Sequence, residues 1–279
     1  LSAAVKKAEA QIGFPIFDRS SNHIQLTELG KEYIRSIEII MDVENGFKNY
    51  INDMKELKSG TIAIGGTNLF ASYVLPPLLS RFTEQYPQVQ VNLVEATTSQ
   101  LTDRLFSGSL DLLIDNKSMD PAIYQKSFFC EEHLLLAVPI RLSVNEKMKN
   151  YALTASDIRE NRHLNSRIPP VPLENFQDES FLLLKSGNDT RTRADRICHN
   201  AHVIPKIKLE LDQQITAYNL SRYGMGISFC SDTLVRHVPD DEGLVYYKLN
   251  HQDALREVNF YYKRNRYMPR IVSTFLDMI

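Results

Sequence analysis

Apolar residues recur every three or four positions through the first dozen residues. Leu1, Val5, Ala8 and Ile12 make one stripe, with Ser2, Lys6 and Lys7 opposite, the pattern of an amphipathic helix. Gly13 stands where a helix closes in a left-handed turn. FPIFDRSSNHIQLT then sets two short apolar-polar segments around Ser20-Ser21-Asn22, which predicts a hairpin. Between Glu28 and Lys58 there is no proline, and Gly46 is the one glycine beyond the first turn. Tyr33, Ile37, Ile40, Glu44, Phe47, Ile51 and Met54 step alternately by four and three, as in a coiled-coil seam. A helix of that length spans about 45 Å and suits pairing with a second copy, although packing on its own domain fits the same spacing. Glu44 interrupts the seam with a polar group, and Gly46 offers a place for a bend.

From Thr61 the texture changes. TIAIGG, QVQVNLVEA and DLLID read as strands, separated by helix-like VLPPLLSRFTEQYP and SQLTDRLFSGSL. After the strand HLLLAVP the pattern repeats with FLLLKSG, KIKLELD and GISFCS around the helices NDTRTRADRICHNA and QQITAYNLSRY. LVYYKL, REVNFYYKR and a closing helix from Pro269 to Met278 complete the chain. Such alternation predicts an α/β domain with parallel strands, in two halves. The polar, proline-bearing stretch at residues 163–180 reads as a surface loop of the second half without an assigned role.

Composition narrows the setting. The 279 residues suffice for two or three domains, and the 43% apolar and 24% charged shares suit a globular protein. No apolar run approaches the ~18 residues that span a bilayer, and no signal peptide is visible. Three widely spaced cysteines fit a reducing compartment, so a cytoplasmic location without membrane contact is expected. The net charge of −2 gives no hint of a nucleic-acid partner. Leu1–Arg35 carries five basic against four acidic residues, so DNA binding there would rest on shape and dimerisation more than bulk charge.

LSAAVKKAEAQIG, IFDR and LTELG resemble, in order and without gaps, the recognition helix, LFxR and LTxxG segments of the LysR-type transcriptional regulators. Further on, LPPLLSRFTEQYPQVQVNLVEA, LFSGSLDLLI and SRYGMGIS are similar to that family's effector-domain motifs. The resemblance implies an α/β fold class with three parts: a partial winged helix-turn-helix (1–27), a long linker and dimerisation helix (28–59), and a bilobal effector-binding domain (60–279). Lobe I is expected over about 60–138 and 241–279, and lobe II over about 139–240. It also implies double-stranded DNA with a two-fold symmetric operator as a partner, a homodimer or homotetramer, and a small-molecule effector that alters oligomer geometry on DNA. Ser2, Lys6 and Lys7 would read the major groove, with Arg19 and Thr27 holding the backbone near the wing. Two departures stand out. Ala8 replaces a larger aliphatic residue, and the family's first two helices would precede Leu1, without which poor DNA binding is expected. Taken without the resemblance, the first thirty residues also fit an ordinary amphipathic helix and hairpin.

Ligands of open α/β sheets bind at the carboxyl ends of strands, beside helix N-termini. Three junctions fit: Thr67-Asn68, Thr97-Thr98-Ser99 and Ser186-Gly187-Asn188. Each offers hydroxyl or amide groups beside N–H donors, suited to a carboxylate or other small anion. By the resemblance the first two lie on one lobe and the third on the other. Ser231 and Gln213 are weaker candidates, and Arg191 and Arg193 leave the effector's charge open. Ser, Thr and Asn at such places also serve as plain helix caps.

No catalytic constellation stands out: GxSxG, Walker A, HExxH, CxxC and the dinucleotide fingerprint are absent, so no enzyme, cofactor or metal is expected. Cys198 and His202, with His199 nearby, sit four apart on a predicted helix and would need further ligands to hold an ion. In the peroxide-sensing branch of the family a cysteine pair occupies this segment. Here its second member falls on Cys198 and its first on Asp189, so disulfide switching is not expected. Cys130 and Cys230 read as core. The alternative function is a bilobal solute receptor without DNA binding, whose N-terminal part serves only to dimerise.

Overall fold

A computed structural model describes residues 3–18, 24–53, 60–239 and 242–279. Leu1, Ser2, Arg19, Ser20-Ser21-Asn22 and Met54 therefore lie outside the described residues. Helix α1 (Ala3–Ile12) stops at Gly13, whose φ of +81° is the left-handed turn expected there. Glu9 Oε1 accepts the N–H groups of Ile16 at 2.9 Å and Phe17 at 3.3 Å. That ties α1 to β1 (Phe17–Asp18), which pairs antiparallel with β2 (Gln25–Leu26). Lys6 and Lys7 are exposed, as predicted, but Val5, Ala8 and Ile12 are only half-buried. A ten-residue helix beside a two-residue-wide hairpin has too little apolar surface to cover its stripe.

Thr27 also departs from expectation. Its Oγ donates to the Pro15 carbonyl at 2.9 Å and accepts the Gly30 N–H at 2.9 Å. The hydroxyl thus caps α2 (Glu28–Asp53) instead of standing free for a phosphate. A Cβ on Gly30 would stand 2.1 Å from the Ile16 carbonyl oxygen, so only glycine lets α2 begin this close to the hairpin. The LTELG segment is a joint between head and linker.

Helix α2 has two faces. Ile37, Ile40, Glu44, Phe47 and Ile51 are exposed along the predicted seam. On the opposite side, at 100° per residue, Asp42 is buried and pairs with Lys263 at 2.9 Å and Arg266 at 2.7 Å. Arg266 also meets Asp111 at 2.9 Å. Tyr267 donates to Asp53 at 2.8 Å and stacks edge-on against Tyr50. Gly46 is buried on this face, beneath Tyr267, within an unbroken helix. One side of the helix docks on the chain's own domain, and the side that carries the predicted seam is exposed in the single chain.

Lobe I comprises β3 (Gly60–Gly66), α3 (Leu75–Gln85), β4 (Val89–Glu95), α4 (Thr98–Ser107) and β5 (Leu112–Asp115). One π turn, Phe70–Val74, leads into α3, with Leu75 N–H reaching back to the Phe70 carbonyl. Pro76 and Pro77 cannot donate to the preceding turn, which accounts for the shift in register. Strand β6 (Tyr124–Pro139) then crosses into lobe II, which holds α5 (Val144–Lys147), β7 (Ala152–Leu153), α6 (Ala155–Arg159), β8 (Ser180–Leu184), α7 (Asp189–Asn200), β9 (Lys206–Leu211), α8 (Gln214–Arg222), β10 (Ile227–Ser231), α9 (Asp232–His237) and β11 (Leu244–Lys248). Strand β12 (Leu255–Lys263) returns to lobe I, and α10 (Arg270–Met278) closes it.

The sheet order is β4-β3-β5-β12-β6-β10-β8-β9, with β11 also on β6 and β7 on β11. Strands β3, β4 and β5 are parallel, as are β8, β9 and β10. Leu112, Leu113 and Ile114 are wholly buried because helices cover both faces of the sheet, which explains the unbroken apolar run. Three boundaries differ from expectation. Strand β6 starts at Tyr124, since its first half alternates in burial and lacks the solid apolar run of HLLLAVP. It pairs with β12 as far as His133 and with β10 from Leu134. Strand β11 belongs to lobe II, so that lobe runs from Leu134 to Lys248 and not over 139–240. Residues 163–180 are no mere surface loop: His163, Val171, Leu173 and Phe176 are buried, the last three in the lobe II core.

Candidate functional site

The strand ends of both lobes face a cleft of about 350 Å³. Thr67, Asn68, Thr97, Thr98, Ser186, Gly187 and Asn188 all line it, and Gln213 does too. Ser231 does not. It is fully buried, accepts the Leu234 N–H at 3.2 Å as the cap of α9, and donates to Gln214 Oε1 at 3.1 Å. Arg191 and Arg193 also lie outside the lining. Arg191 is held by Asp195 and Glu210, and Arg193 by Asp189 and the Asp253 carbonyl.

Some of the predicted residues have local duties. Thr97 forms a reciprocal capping box with Gln100, and Asn188 Oδ1 accepts the Thr190 N–H at 2.9 Å. Asn68 Nδ2 donates to Glu95 at 2.9 Å. Gly187 has φ +91° with nothing within 4 Å of an added Cβ, so backbone conformation, not crowding, favours glycine.

Sequence reasoning missed the charged floor. Arg256, on β12, is buried and donates from Nε to Glu132 at 2.6 Å and from Nη1 to Asp189 and Thr190, both at 3.0 Å. Asn116 Nδ2 adds a 3.0 Å bond to Glu132. A continuous polar chain therefore runs from the end of β5 in lobe I, through both crossing strands, to the start of α7 in lobe II. Burial works against the Arg256 cation, but the charges of Glu132 and Asp189 outweigh it and raise its pKa. A signal was present in REVNF: Arg256 has the strand parity of Val258, a core position.

Asp115 ends the buried run of β5 and lines the cleft at 2% exposure. Its Oδ2 accepts the Thr98 hydroxyl at 2.8 Å and its Oδ1 the Lys117 N–H at 2.7 Å. Burial raises its pKa despite those two hydrogen bonds. A carboxyl whose folded value lies above 3.8 makes stability fall as pH climbs from 3.8 through the folded value, because the folded state then holds more protons. Asp115→Asn removes that loss. The variant's advantage in melting temperature is expected to grow across this window and level off above it; parallel pH profiles would show the carboxylate is not destabilising.

Among the described residues one group could hold a metal ion: His133, His163 and Asp232, with ligand atoms within 4.8 Å of one another. Asp232 Oδ2 already receives Arg236 Nη2 at 2.8 Å and His163 Nε2 at 3.0 Å. Burial would raise this carboxyl, but His133, His163 and Arg236 together hold it well below the ordinary range. The group therefore reads as a neutralised buried carboxylate pinning α9 to β6 at the lobe crossing. Cys198 and His202 do not share a helix, since α7 ends at Asn200 and His202 has φ +54°. Burial pushes the Cys198 thiol up to about 12 and Cys130 likewise, while Cys230 is buried in the core.

A family model described as the LysR substrate binding domain matches residues 55–279. The chain is 26% identical over 281 residues to an uncharacterized HTH-type transcriptional regulator, YcgK of Bacillus subtilis, covering 100% of this chain and 84% of the relative. It is 21% identical over 278 residues to the HTH-type transcriptional regulator CysB of Haemophilus influenzae, covering 99% and 79%. A full-length OxyR variant from Pseudomonas aeruginosa superposes with a TM-score of 0.70 at 20% identity, covering 98% of this chain and 82% of that one. The effector binding domain of QuiR in complex with shikimate gives 0.60 at 15%, covering 79% and 95%. At these identities the superpositions speak for the fold.

Proposed function

The chain belongs to the LysR-type transcriptional regulators, and from that premise we propose that its cleft takes a small-molecule effector whose binding resets the two lobes. The carrying observation is convergence: six polar residues and Gly187, from three strand ends on two lobes, line one cleft. Helix capping alone would not require that. The Asn116–Glu132–Arg256–Asp189 chain crosses its floor and gives a ligand something to pull on. A ligand shifts the balance only through unequal affinity for two lobe placements.

The outer face of α2 pairs with a second copy, and two α1 helices then read a two-fold symmetric duplex in the cytoplasm. Lys6 and Lys7 reach the groove, joined by Ser2, Arg19 holds the backbone near the wing, and Thr27 supports them as a joint. Relatives named as HTH-type regulators align along the entire chain, so a solute receptor without DNA binding gains no support, nor does an enzyme. Among the described residues no helix is long and apolar enough to cross a membrane.

The test is a thermal-shift screen against a metabolite library of acids, sugar phosphates and amines. A ligand at 100 times its Kd is expected to add about 2.7 kcal/mol of stability, and Thr98→Ala with Asn68→Ala to abolish the response. A response untouched by both substitutions would place the effector elsewhere.

A further inference from the structure

The charges around the cleft do not balance within the protein. Asp189 is held by Arg193 at 2.7 Å and Arg256 at 3.0 Å, and Asp212 by Lys185 at 2.8 Å. Asp115 stands apart. Its hydrogen bonds come from two neutral donors, the Thr98 hydroxyl and the Lys117 N–H. The cation whose charge reaches it, Arg256, is already paired with Glu132 and Asp189. Among the described residues this buried carboxylate therefore has no ion-pair partner of its own, which is costly. Here it lines a ligand-sized cleft, where an arriving cation would meet it.

The donors are equally uneven. The first N–H groups of a helix lack intrahelical partners. At the start of α4 the Thr97 hydroxyl serves Gln100, leaving those of Thr98 and Ser99 to outside acceptors. Across the cleft, Gln214 takes the Ser231 hydroxyl on Oε1, while its Nε2 is buried with no acceptor among the described residues. That amide nitrogen is shielded from the cleft which the residue lines. Lobe I thus offers an acceptor without an ion-pair partner of its own beside the open N–H groups at the start of α4.

We infer that the effector is a zwitterion of α-amino-acid type: its ammonium group pairs with Asp115, and its carboxylate takes the N–H groups of Thr98 and Ser99. The inference rests on the cleft reading above and adds the ligand class. An α-amino acid carries its two charged groups on one carbon. That suits Asp115 and the α4 start, which the Thr98 side chain links directly. A plain carboxylic acid would leave Asp115 unpaired and set a second negative charge beside it.

The test is calorimetric titration of the whole chain with the twenty standard L-amino acids and, for each binder, the 2-hydroxy acid in which a hydroxyl replaces the amine. At least one amino acid is expected to bind and its hydroxy acid to bind at least about 30-fold more weakly. Asp115→Asn should raise the amino acid's Kd by at least about 30-fold, ~2 kcal/mol at 25 °C, while leaving the unliganded fold intact by melting temperature. A hydroxy acid that binds as tightly as its amino acid, or an unchanged Kd in Asp115→Asn, overturns the inference. If Thr98→Ala still weakens that ligand, the cleft reading stands and only the ammonium contact falls. Binding by none of the twenty overturns the amino-acid class, while the broader library screen separately decides whether the cleft binds anything.

Discussion

Arg256→Met is expected to cost the fold about 3–5 kcal/mol, the range for breaking a buried ion pair from one side, a large share of a typical domain's 5–15 kcal/mol. Arg256 and Glu132 are buried at 4% and 0% exposure. Removing the guanidinium strands Glu132 without its cation, leaving Asn116 Nδ2 as its one side-chain donor among the described residues. Asp189 keeps Arg193, so the damage centres on Glu132. Urea unfolding of the single variant measures the loss. Pairing it with Glu132→Leu should recover much of the stability, since an apolar pair carries no desolvated charge. A single variant as stable as the parent would mean the ion pair is not what holds the lobe crossing. The double variant separates two roles of the network: restored stability with a lost effector response would show that the polar chain serves coupling.

Ile40→Glu with Phe47→Glu is expected to turn a dimer into a monomer at micromolar concentration. Both side chains are largely exposed in the single chain, at 61% and 62%, although large and apolar. They lie on the side of α2 away from the Asp42 ion pairs, so the substitutions leave the docking onto lobe I untouched. Burying each such side chain contributes about 1.5–3 kcal/mol. Four of them across a two-fold pair are worth ~6 kcal/mol or more, at least about 10⁴-fold in dissociation constant. Light scattering reads the mass directly. A variant that stays dimeric would move the subunit contact to the α/β lobes, and with it the spacing of the DNA-reading heads.

Much of the fold was legible because its signals are local. Three- and four-residue spacing marked α2, unbroken aliphatic runs marked β5 and β8, and Gly13 marked the end of α1. The cleft positions at Thr67, Thr98 and Gly187 were legible because strand-to-helix junctions carry their own turn chemistry. What failed were properties of pairing. The first half of β6 alternates in burial and gave no apolar run, and β11 could be assigned to lobe II only from the strand beside it. Ser231 has the chemistry of a ligand contact, but the packing of α8 over β10 buries it beneath Gln214.

By itself the sequence determined the order of elements, the bilobal α/β plan, the family, and the strand ends that line the cleft. These depend on periodicity, turn residues and motif order, which act between near neighbours in the chain. Only the tertiary structure decided the electrostatics of the cleft. Glu132 and Arg256 are 124 residues apart and Asp189 and Arg256 67 apart, and they meet because β6 and β12 cross together beneath α7. Whether Asp115 is neutralised likewise depends on which cations the fold brings near, since Coulomb energy follows distance in space and local dielectric, not separation along the chain.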